Sequence, residues 1–182
     1  MQRKIYLETP RLLIGEIIKE DAVPMFEMDA DPLVHQYLAD KILSEVKESE
    51  QIIASIRRQY KAYGIGRWAI VEKSTQEFLG WTGFKFCKQP VNNHSNFYDI
   101  GYRLLRKYWN KGYATESVKG CLDYAFSKNL FNVVYADVES EHKASKSVLE
   151  KAGLNCIETF IDDGYKIDWY RITKDEWEKN KK

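Results

Sequence analysis

Hydrophobic and polar positions along the chain repeat with two different periods, and each change of period marks a new element. Apolar residues that alternate or run together predict strands, whereas apolar residues spaced three or four apart predict helices. The strands expected on this basis are 12–16, 68–72, 78–87, 97–105, 133–139, 156–160 and 166–173. The helices expected are 21–28, 44–63, 114–126 and 143–152. The resulting order, β-α-α-β-β-β-α-β-α-β-β, predicts an α/β fold built on a mixed sheet.

Glycines and turn residues set the limits of several elements. Gly64 follows the longest helical run and Gly153 follows the last one, at positions where a left-handed residue commonly ends a helix. Residues 73–76 lie between two strand runs and predict the turn of a hairpin. No repeat or low-complexity linker divides the chain, so residues 1–182 are expected to form a single domain, with 174–182 as a charged tail.

The segment from Arg106 to Thr115, RKYWNKGYAT, carries the clearest chemical signal. It is a basic turn of small residues that opens a helix directly after a strand. The first N–H groups of a helix lack internal partners and carry partial positive charge, which favours phosphate. Gly112 and Ala114 keep side chains away from the backbone. The turn therefore predicts a ligand that carries phosphate.

Composition excludes several classes of protein. The 182 residues are 44% hydrophobic and 30% charged with a net charge of +1, so we expect neither a nucleic-acid surface nor a membrane surface. No apolar run approaches the ~20 residues of a membrane span. Cys87, Cys121 and Cys156 form no CxxC pair, and residues 1–7 are too short and polar for a secretory signal. We therefore expect free thiols in a reducing cytoplasm.

Motifs that would carry other chemistries are absent or misplaced. The segment 63–69 contains a match to G-x-G-x-x-G/A, but a helix precedes it and a strand follows, the reverse of a dinucleotide-binding unit. The chain has no G-x-x-x-x-G-K-[ST] and no G-x-S-x-G. His35, His94 and His142 are far apart and lack paired ligand spacing, so no metal site is expected.

The phosphate-binding turn also matches a family pattern. Residues 109–114, WNKGYA, resemble the acetyl-CoA pyrophosphate loop of the GNAT N-acetyltransferase superfamily, whose pattern is Q/R-x-x-G-x-G/A. The chain as a whole resembles the branch of that superfamily that contains ribosomal-protein N-terminal acetyltransferases.

Further segments match that branch, and they occur in the right order. The opening T-x-R-L is matched within 7–12, I-G-Y by 100–102, and Y-W-x-K-G-Y-A-T-E by 108–116. The box N-x-A-S … V-L-E-K-x-G is matched in part by 142–145 and 148–153. The resemblance implies a GNAT-like fold: a mixed, mostly antiparallel twisted sheet with a V-shaped splay, flanked by helices.

Three positions depart from the family pattern. Trp109 replaces the usual Gln or Arg at the first loop position, as is common in this branch, and Leu105-Arg106 replaces the usual Asp-Pro. His142 replaces the Asn that typically helps to hold the pantetheine arm, and its ring can also donate and accept hydrogen bonds.

The resemblance implies direct transfer of an acetyl group from acetyl-CoA to a primary amine. In the family, the strand before the loop bulges and splays from the next strand, and the pantetheine arm pairs with it, here with Arg103 and Leu104. A backbone N–H near Leu104 would donate to the oxyanion. The implied cofactor-binding residues are Arg103, Leu104, Asn110, Lys111, Gly112, Tyr113, Ala114, Thr115 and His142. The charges of Lys111 and Arg106 are equally well explained as solvated surface.

Two carboxylates are candidates for the base that takes the proton of the amine. Asp137 stands where relatives place a base, and Asp99 precedes the I-G-Y segment. Because strand residues alternate, Asp99 shares a face with Arg103 and could simply pair with it. For the proton donor to the departing thiolate, the resemblance suggests Ser145, which could equally order the first turn of its helix. His142 is an alternative donor.

The acceptor is the least constrained part of the prediction. A free α-amine with a pKa near ~7.8 costs only about 1 kcal/mol to deprotonate at neutral pH, whereas a lysine near ~10.4 costs roughly 4–5 kcal/mol. A weak base therefore suits the N-terminal amine of a peptide or protein. A small amine (polyamine, amino acid or antibiotic) and a non-catalytic CoA-binding role are alternatives. We expect a monomer or homodimer, with Tyr37, Trp68 and Trp81 as candidates to line the acceptor site.

Overall fold

Eight strands form one open sheet in the computed structural model, which describes residues 3–38 and 41–181. The order across the sheet is β1-β2-β3-β4-β5-β6-β8-β7, and neighbouring strands are antiparallel except for β5 and β6. The strands are β1 (Ile5–Glu8), β2 (Leu12–Glu16), β3 (Arg67–Glu72), β4 (Phe78–Cys87), β5 (Phe97–Leu104), β6 (Val133–Glu139), β7 (Asn155–Asp162) and β8 (Tyr165–Thr173).

Helices cover both faces of the sheet. They are α1 (Ala22–Asp29), α2 (Val46–Tyr63), α3 (Tyr113–Ser127), α4 (Lys143–Lys151) and α5 (Lys174–Asn180), with short 3₁₀ turns at Lys19–Asp21 and Arg106–Tyr108. Within the described ranges, none of these helices is long and apolar enough to cross a membrane. Gly64 ends α2 in the left-handed conformation (φ 70°), as the sequence predicts.

All eleven predicted elements are present, with ends that differ from the predicted ones by three residues or fewer. Two elements were not predicted, β1 and α5. The segment expected as a charged tail forms α5 instead, because Thr173 caps its first turn and Trp177 anchors it. The Trp177 indole donates to Asp123 at 2.7 Å and packs on Phe126.

Each face of the sheet has its own layer of apolar residues. On one face, Met25 of α1 and Ile53 and Ile56 of α2 pack with Ala69 and Val71 of β3. On the other face, α3 and α4 bury a larger core against the alternate residues of the same strands. Since neighbouring residues of a strand face opposite layers, one strand can present different chemistry to the two sides.

The sheet opens between β5 and β6. A single residue pair, Asp99 with Tyr135, joins the two strands, so the V-shaped splay is confirmed. β5 pairs with β4 in one continuous register from Phe97 to Leu104. The bulge expected in β5 is therefore absent from its pairing with β4, and the splay lies between β5 and β6.

The register also shows which backbone groups face the opening. Leu105 N–H donates to Leu79 O at 2.9 Å, and bonded pairs alternate along an antiparallel ladder. Arg103 is therefore bonded to β4, while the backbone groups of Tyr102 and Leu104 point away from β4 into the splay. Of the two residues predicted to pair with the pantetheine arm, Leu104 has backbone groups that face the splay, as does Tyr102, whereas the backbone groups of Arg103 are bonded to β4.

Candidate active site

A cleft of about 920 Å³ begins at the splay and runs to the start of α3. Strands β4, β5 and β6, the turn before α3, helix α4 and the turn at residues 34–38 contribute its walls. Every predicted site residue except Lys111 lines it. Those lining residues are Asp99, Arg103, Leu104, Asn110, Gly112, Tyr113, Ala114, Thr115, Asp137, His142 and Ser145.

The turn before α3 forms a cradle of free backbone donors. Asn110 (φ 59°) and Gly112 (φ 79°) are both left-handed, which swings the chain round into the helix. The first helical bond is donated by Glu116 N–H to Gly112 O at 3.0 Å. The N–H groups of Tyr113, Ala114 and Thr115 therefore have no helical partner and face an anion at the positive end of the helix dipole.

The cradle is fixed from outside by the turn between β1 and β2. Glu116 accepts hydrogen bonds from Thr9 Oγ1 at 2.6 Å, Arg11 N at 2.9 Å and Arg11 Nε at 2.6 Å. Arg11 also donates to Lys111 O at 3.0 Å, and its guanidinium stacks on Tyr113 at 4.4 Å. The T-x-R-L segment thus supports the loop structurally, a role that its sequence alone did not indicate.

Trp109, which stands where the family pattern has Gln or Arg, makes a structural contact with the end of β5. Its indole N–H donates to Leu104 O at 2.9 Å. This bond ties the last residue of β5 to the turn that follows, and it occupies the Leu104 carbonyl that would otherwise face the splay. The Leu104 N–H remains directed into the cleft, in keeping with the predicted oxyanion donor.

Asp99 is held by an arginine that no sequence motif singled out. Its buried carboxylate pairs with Arg67 from β3, whereas Arg103 pairs with Asp29 at 2.8 Å. The expected pairing of Asp99 with Arg103 is therefore wrong. A Cβ at Gly101 would meet the Arg67 guanidinium at 2.9–3.0 Å. The glycine between Asp99 and Arg103 leaves the space that Arg67 fills, and it is the one sequence signal for this contact.

Asp137 lies on the cleft floor, on the same face of the sheet as Asp99. Its side chain is open to the water of the cleft, although protein atoms enclose the floor on its other sides. This partial desolvation, followed by the negative charge of Asp99, raises the pKa of the Asp137 carboxyl to about 6, and Arg67 opposes the shift. Asp137 is thus a weak base that is exposed where a ligand can reach it.

Ser145 has a hydroxyl partner across the splay. Tyr102 of β5 donates its phenolic O–H to Ser145 Oγ, in the first turn of α4, at 3.0 Å. Burial raises the pKa of Tyr102 to about 12. Apart from the I-G-Y match, no feature of the sequence pointed to this contact, which joins residues on separate elements.

His142 stacks on Tyr37, with ring centroids 4.4 Å apart. Burial lowers the pKa of His142, so the ring is neutral at physiological pH. The stack links the 31–38 turn to the start of α4 at one side of the cleft. Of the other aromatic candidates, Trp81 lines the cleft, whereas Trp68 is fully buried in the core and cannot reach the acceptor.

Comparison with known proteins assigns the chain to a family. The profile of the acetyltransferase (GNAT) domain matches residues 11–155. The "uncharacterized protein YkkB" of Bacillus subtilis (strain 168) is 31% identical over 160 residues, covering 87% of this chain and 90% of its own. The "uncharacterized N-acetyltransferase p20" of Bacillus licheniformis is 32% identical over 143 residues, covering 79% and 78%. The chain therefore belongs to the GNAT acetyltransferase family.

Solved structures of low sequence identity share the fold. The ribosomal L7/L12 α-N-protein acetyltransferase RimL in complex with coenzyme A has a TM-score of 0.78 at 13% identity, covering 93% of this chain and 98% of that one. Spermidine N-acetyltransferase from Vibrio cholerae, in complex with CoA and spermine, has a TM-score of 0.72 at 12% identity, covering 91% and 97%.

The protein is accordingly an acetyl-CoA-dependent N-acetyltransferase, and the residues present fit that cosubstrate. The cradle offers unpaired N–H groups to a pyrophosphate, and a Cβ at Gly112 would require the strained left-handed φ of 79°. The splay leaves the backbone groups of Tyr102 and the N–H of Leu104 for an extended arm, and the cleft continues past them to Asp137.

Proposed function

We propose that this protein acetylates the free α-amine at the N-terminus of a peptide or protein. The observation that carries the proposal is the weak base Asp137 on the floor of an accessible cleft. An α-ammonium with a pKa near ~7.8 lies about 2 units above this carboxyl, whereas a lysine or polyamine near ~10.4 lies more than about 4 units above it. Proton transfer to Asp137 is therefore much less uphill from an α-amine.

Each residue of the candidate site has a defined role in this proposal. The amides of residues 113–115 hold the pyrophosphate, and the backbone of Tyr102 and Leu104 aligns the extended arm. Acetyl-CoA supplies the acetyl group as an activated thioester. Asp137 receives the ammonium proton so that the amine can attack, and the Leu104 N–H stabilises negative charge on the acyl oxygen. As the C–S bond breaks, the attacking nitrogen loses a second proton and the departing sulfur, which Ser145 faces, gains one, which leaves an amide and the free thiol.

Asp99 supports the base without replacing it. Its carboxylate is bonded to Arg67 and buried, so it is poorly placed to exchange a proton with an incoming amine. Its charge keeps the pKa of Asp137 above that of an ordinary aspartate. We therefore assign Asp137 as the base and Asp99 as its electrostatic partner.

One observation favours a second acceptor class. Asp137, Glu139, Asp162 and Asp163 all line the cleft, and a group of carboxylates attracts cations. A small polyamine is therefore the alternative substrate. Its long amines would need to lose a proton of higher pKa, which is the reason that we rank it second.

A thiol-release assay across matched amines separates these substrates. The set is a peptide with a free N-terminus, the same peptide N-terminally blocked but with a lysine, spermidine, and a free amino acid. We expect kcat/KM at pH 7.5 to be at least tenfold higher for the free N-terminus than for the other amines. A tenfold preference for spermidine or lysine would overturn the α-amine assignment. Binding of CoA without release from any amine would indicate a non-catalytic module.

A further inference from the structure

Two hydroxyl groups meet across the opening of the sheet. Tyr102 belongs to β5, the last strand before the splay, and Ser145 belongs to α4, which follows β6 on the other side. Their oxygens are 3.0 Å apart, and both residues line the cleft. The hydrogen bond therefore spans the gap that the two strands leave between them.

The direction of this bond determines where the serine hydrogen can point. Because the Tyr102 O–H donates, it occupies one of the two acceptor positions of Ser145 Oγ. Ser145 keeps its own hydrogen for another acceptor. Burial raises the pKa of Tyr102 to about 12, so the phenol keeps the proton that it donates throughout the physiological range.

A serine in the first turn of a helix has other partners available. Its hydroxyl commonly rotates to a backbone group of the same turn, which would direct the hydrogen away from the cleft. The phenol of Tyr102, which is largely buried and fixed on a strand, selects one rotation instead. It supplies a constraint that Ser145 cannot obtain from its own helix.

We propose that Tyr102 is a positioning residue that directs the Ser145 hydroxyl toward the sulfur of the departing thiolate. This inference rests on the proposed acetyl transfer. Tyr102 acts through Ser145 and does not itself contact the sulfur. Hydrogen bonding from Ser145 to the sulfur strengthens as negative charge develops there, so it accelerates the reaction without tightening cosubstrate binding.

A double-mutant cycle in the full-length protein tests the proposal. Tyr102→Phe should lower kcat about tenfold, Ser145→Ala about a hundredfold, and the double variant no further than Ser145→Ala. KM for acetyl-CoA and the calorimetric Kd of CoA should change less than about twofold in all three. A purely structural role would instead alter Kd or multiply the two losses.

Tyr170→Phe provides the matched control. Tyr170 also donates its hydroxyl to α4, to Glu150 at 3.1 Å, but it lies outside the cleft. This variant should lose a comparable amount of thermal stability while keeping kcat. Equal kcat losses in Tyr102→Phe and Tyr170→Phe would show that loosening α4 is sufficient, and would overturn the proposal.

The choice of acceptor keeps this test independent of the substrate assignment. The cycle uses whichever amine the unmodified protein acetylates fastest. If the kcat losses of the two single variants multiply in the double variant, only the role of Tyr102 is overturned. If the protein prefers spermidine, only the α-amine assignment is overturned. If the unmodified protein acetylates no amine, both proposals fail.

Discussion

At the scale of single residues, the structure gives different environments to the two carboxylates that the sequence offered as candidate bases. Asp99 is buried and bonded to Arg67, and Asp137 is open to the cleft. Sequence alternation correctly placed Asp99 and Arg103 on one face. Alternation could not predict that the Arg67 side chain, 32 residues before Asp99, passes beside Gly101 and pairs with the Asp99 carboxylate. That contact depends on the packing of three strands.

The pH dependence of kcat should report Asp137. Its carboxyl must be ionised to accept a proton, and its pKa is about 6, so kcat should be constant above about pH 7 and fall about tenfold per unit below about pH 6. Asp137→Asn should lower kcat by roughly 10²–10⁴-fold and abolish this acidic limb. The measurement is kcat from pH 5 to 9 at saturating acceptor.

Asp99→Asn serves as the comparison in the same experiment. This change removes the negative charge beside Asp137 and leaves Arg67 without its counter-ion. The fall of kcat at acidic pH should therefore begin at a lower pH than in the unmodified protein, while kcat above about pH 7 is largely kept. If Asp99→Asn abolishes the limb and Asp137→Asn retains it, the two assignments must be exchanged.

At the scale of elements, local pattern predicted the helices and strands that have strong apolar periodicity. It missed β1, whose four residues are exposed or only partly buried, and α5, whose apolar contact depends chiefly on Trp177. β1 pairs with the neighbouring β2, but its residues carry no alternating apolar pattern. α5 is anchored by Trp177 to the distant residues Asp123 and Phe126, a signal that no short window contains. The strand, the turn with Gly112 and the helix that follows are confirmed, because the information for them is local, and their binding of a pyrophosphate stays a prediction.

Gly112→Ala should weaken CoA binding about tenfold. A Cβ at φ 79° costs roughly 1–2 kcal/mol in the left-handed region, and relaxation of that strain would shift the amides of the cradle. Gly112→Glu should abolish binding, because it adds a negative charge beside the phosphates. Isothermal titration with CoA measures both effects.

Gly64→Ala is the control for backbone strain. Gly64 has φ 70°, a Cβ added there would have no neighbouring atom within 4 Å, and the residue lies outside the cleft. The variant should lose similar stability and bind CoA normally. Equal losses of affinity in the Gly64 and Gly112 variants would refute a local role for the loop.

At the scale of the whole molecule, the fold consists of strands β1–β5 on one side of the splay and β6–β8 on the other, joined by one parallel pair. The hydrophobic pattern correctly gave the order of the eleven predicted elements, and the family resemblance gave the splay. The contacts that cross the molecule, Tyr102–Ser145 and Arg103–Asp29, had no counterpart in any motif. Their geometry depends on how the layers pack, which one sequence does not encode in a local pattern.

Amide hydrogen exchange should map the open side of β5. In the free protein, the N–H groups of Tyr102 and Leu104 should exchange faster than those of Gly101 and Arg103, which are bonded to β4. CoA should slow the first pair selectively, as measured by residue-resolved NMR. Unchanged exchange at Tyr102 and Leu104 would place the extended arm elsewhere.

The hydrogen bonds that Glu116 accepts from Thr9 and Arg11, here called the clasp, affect the order of events in folding. Its hydrogen bonds join residues 105 and 107 positions apart, and contacts of such separation must overcome the loop-closure entropy of the intervening chain. We therefore expect the clasp to form late on the folding pathway, after the local turns and helices. The ability to bind the cosubstrate would then be one of the last properties to form during folding. A newly synthesised chain would gain this ability only after Glu116 had made contact with the turn between β1 and β2.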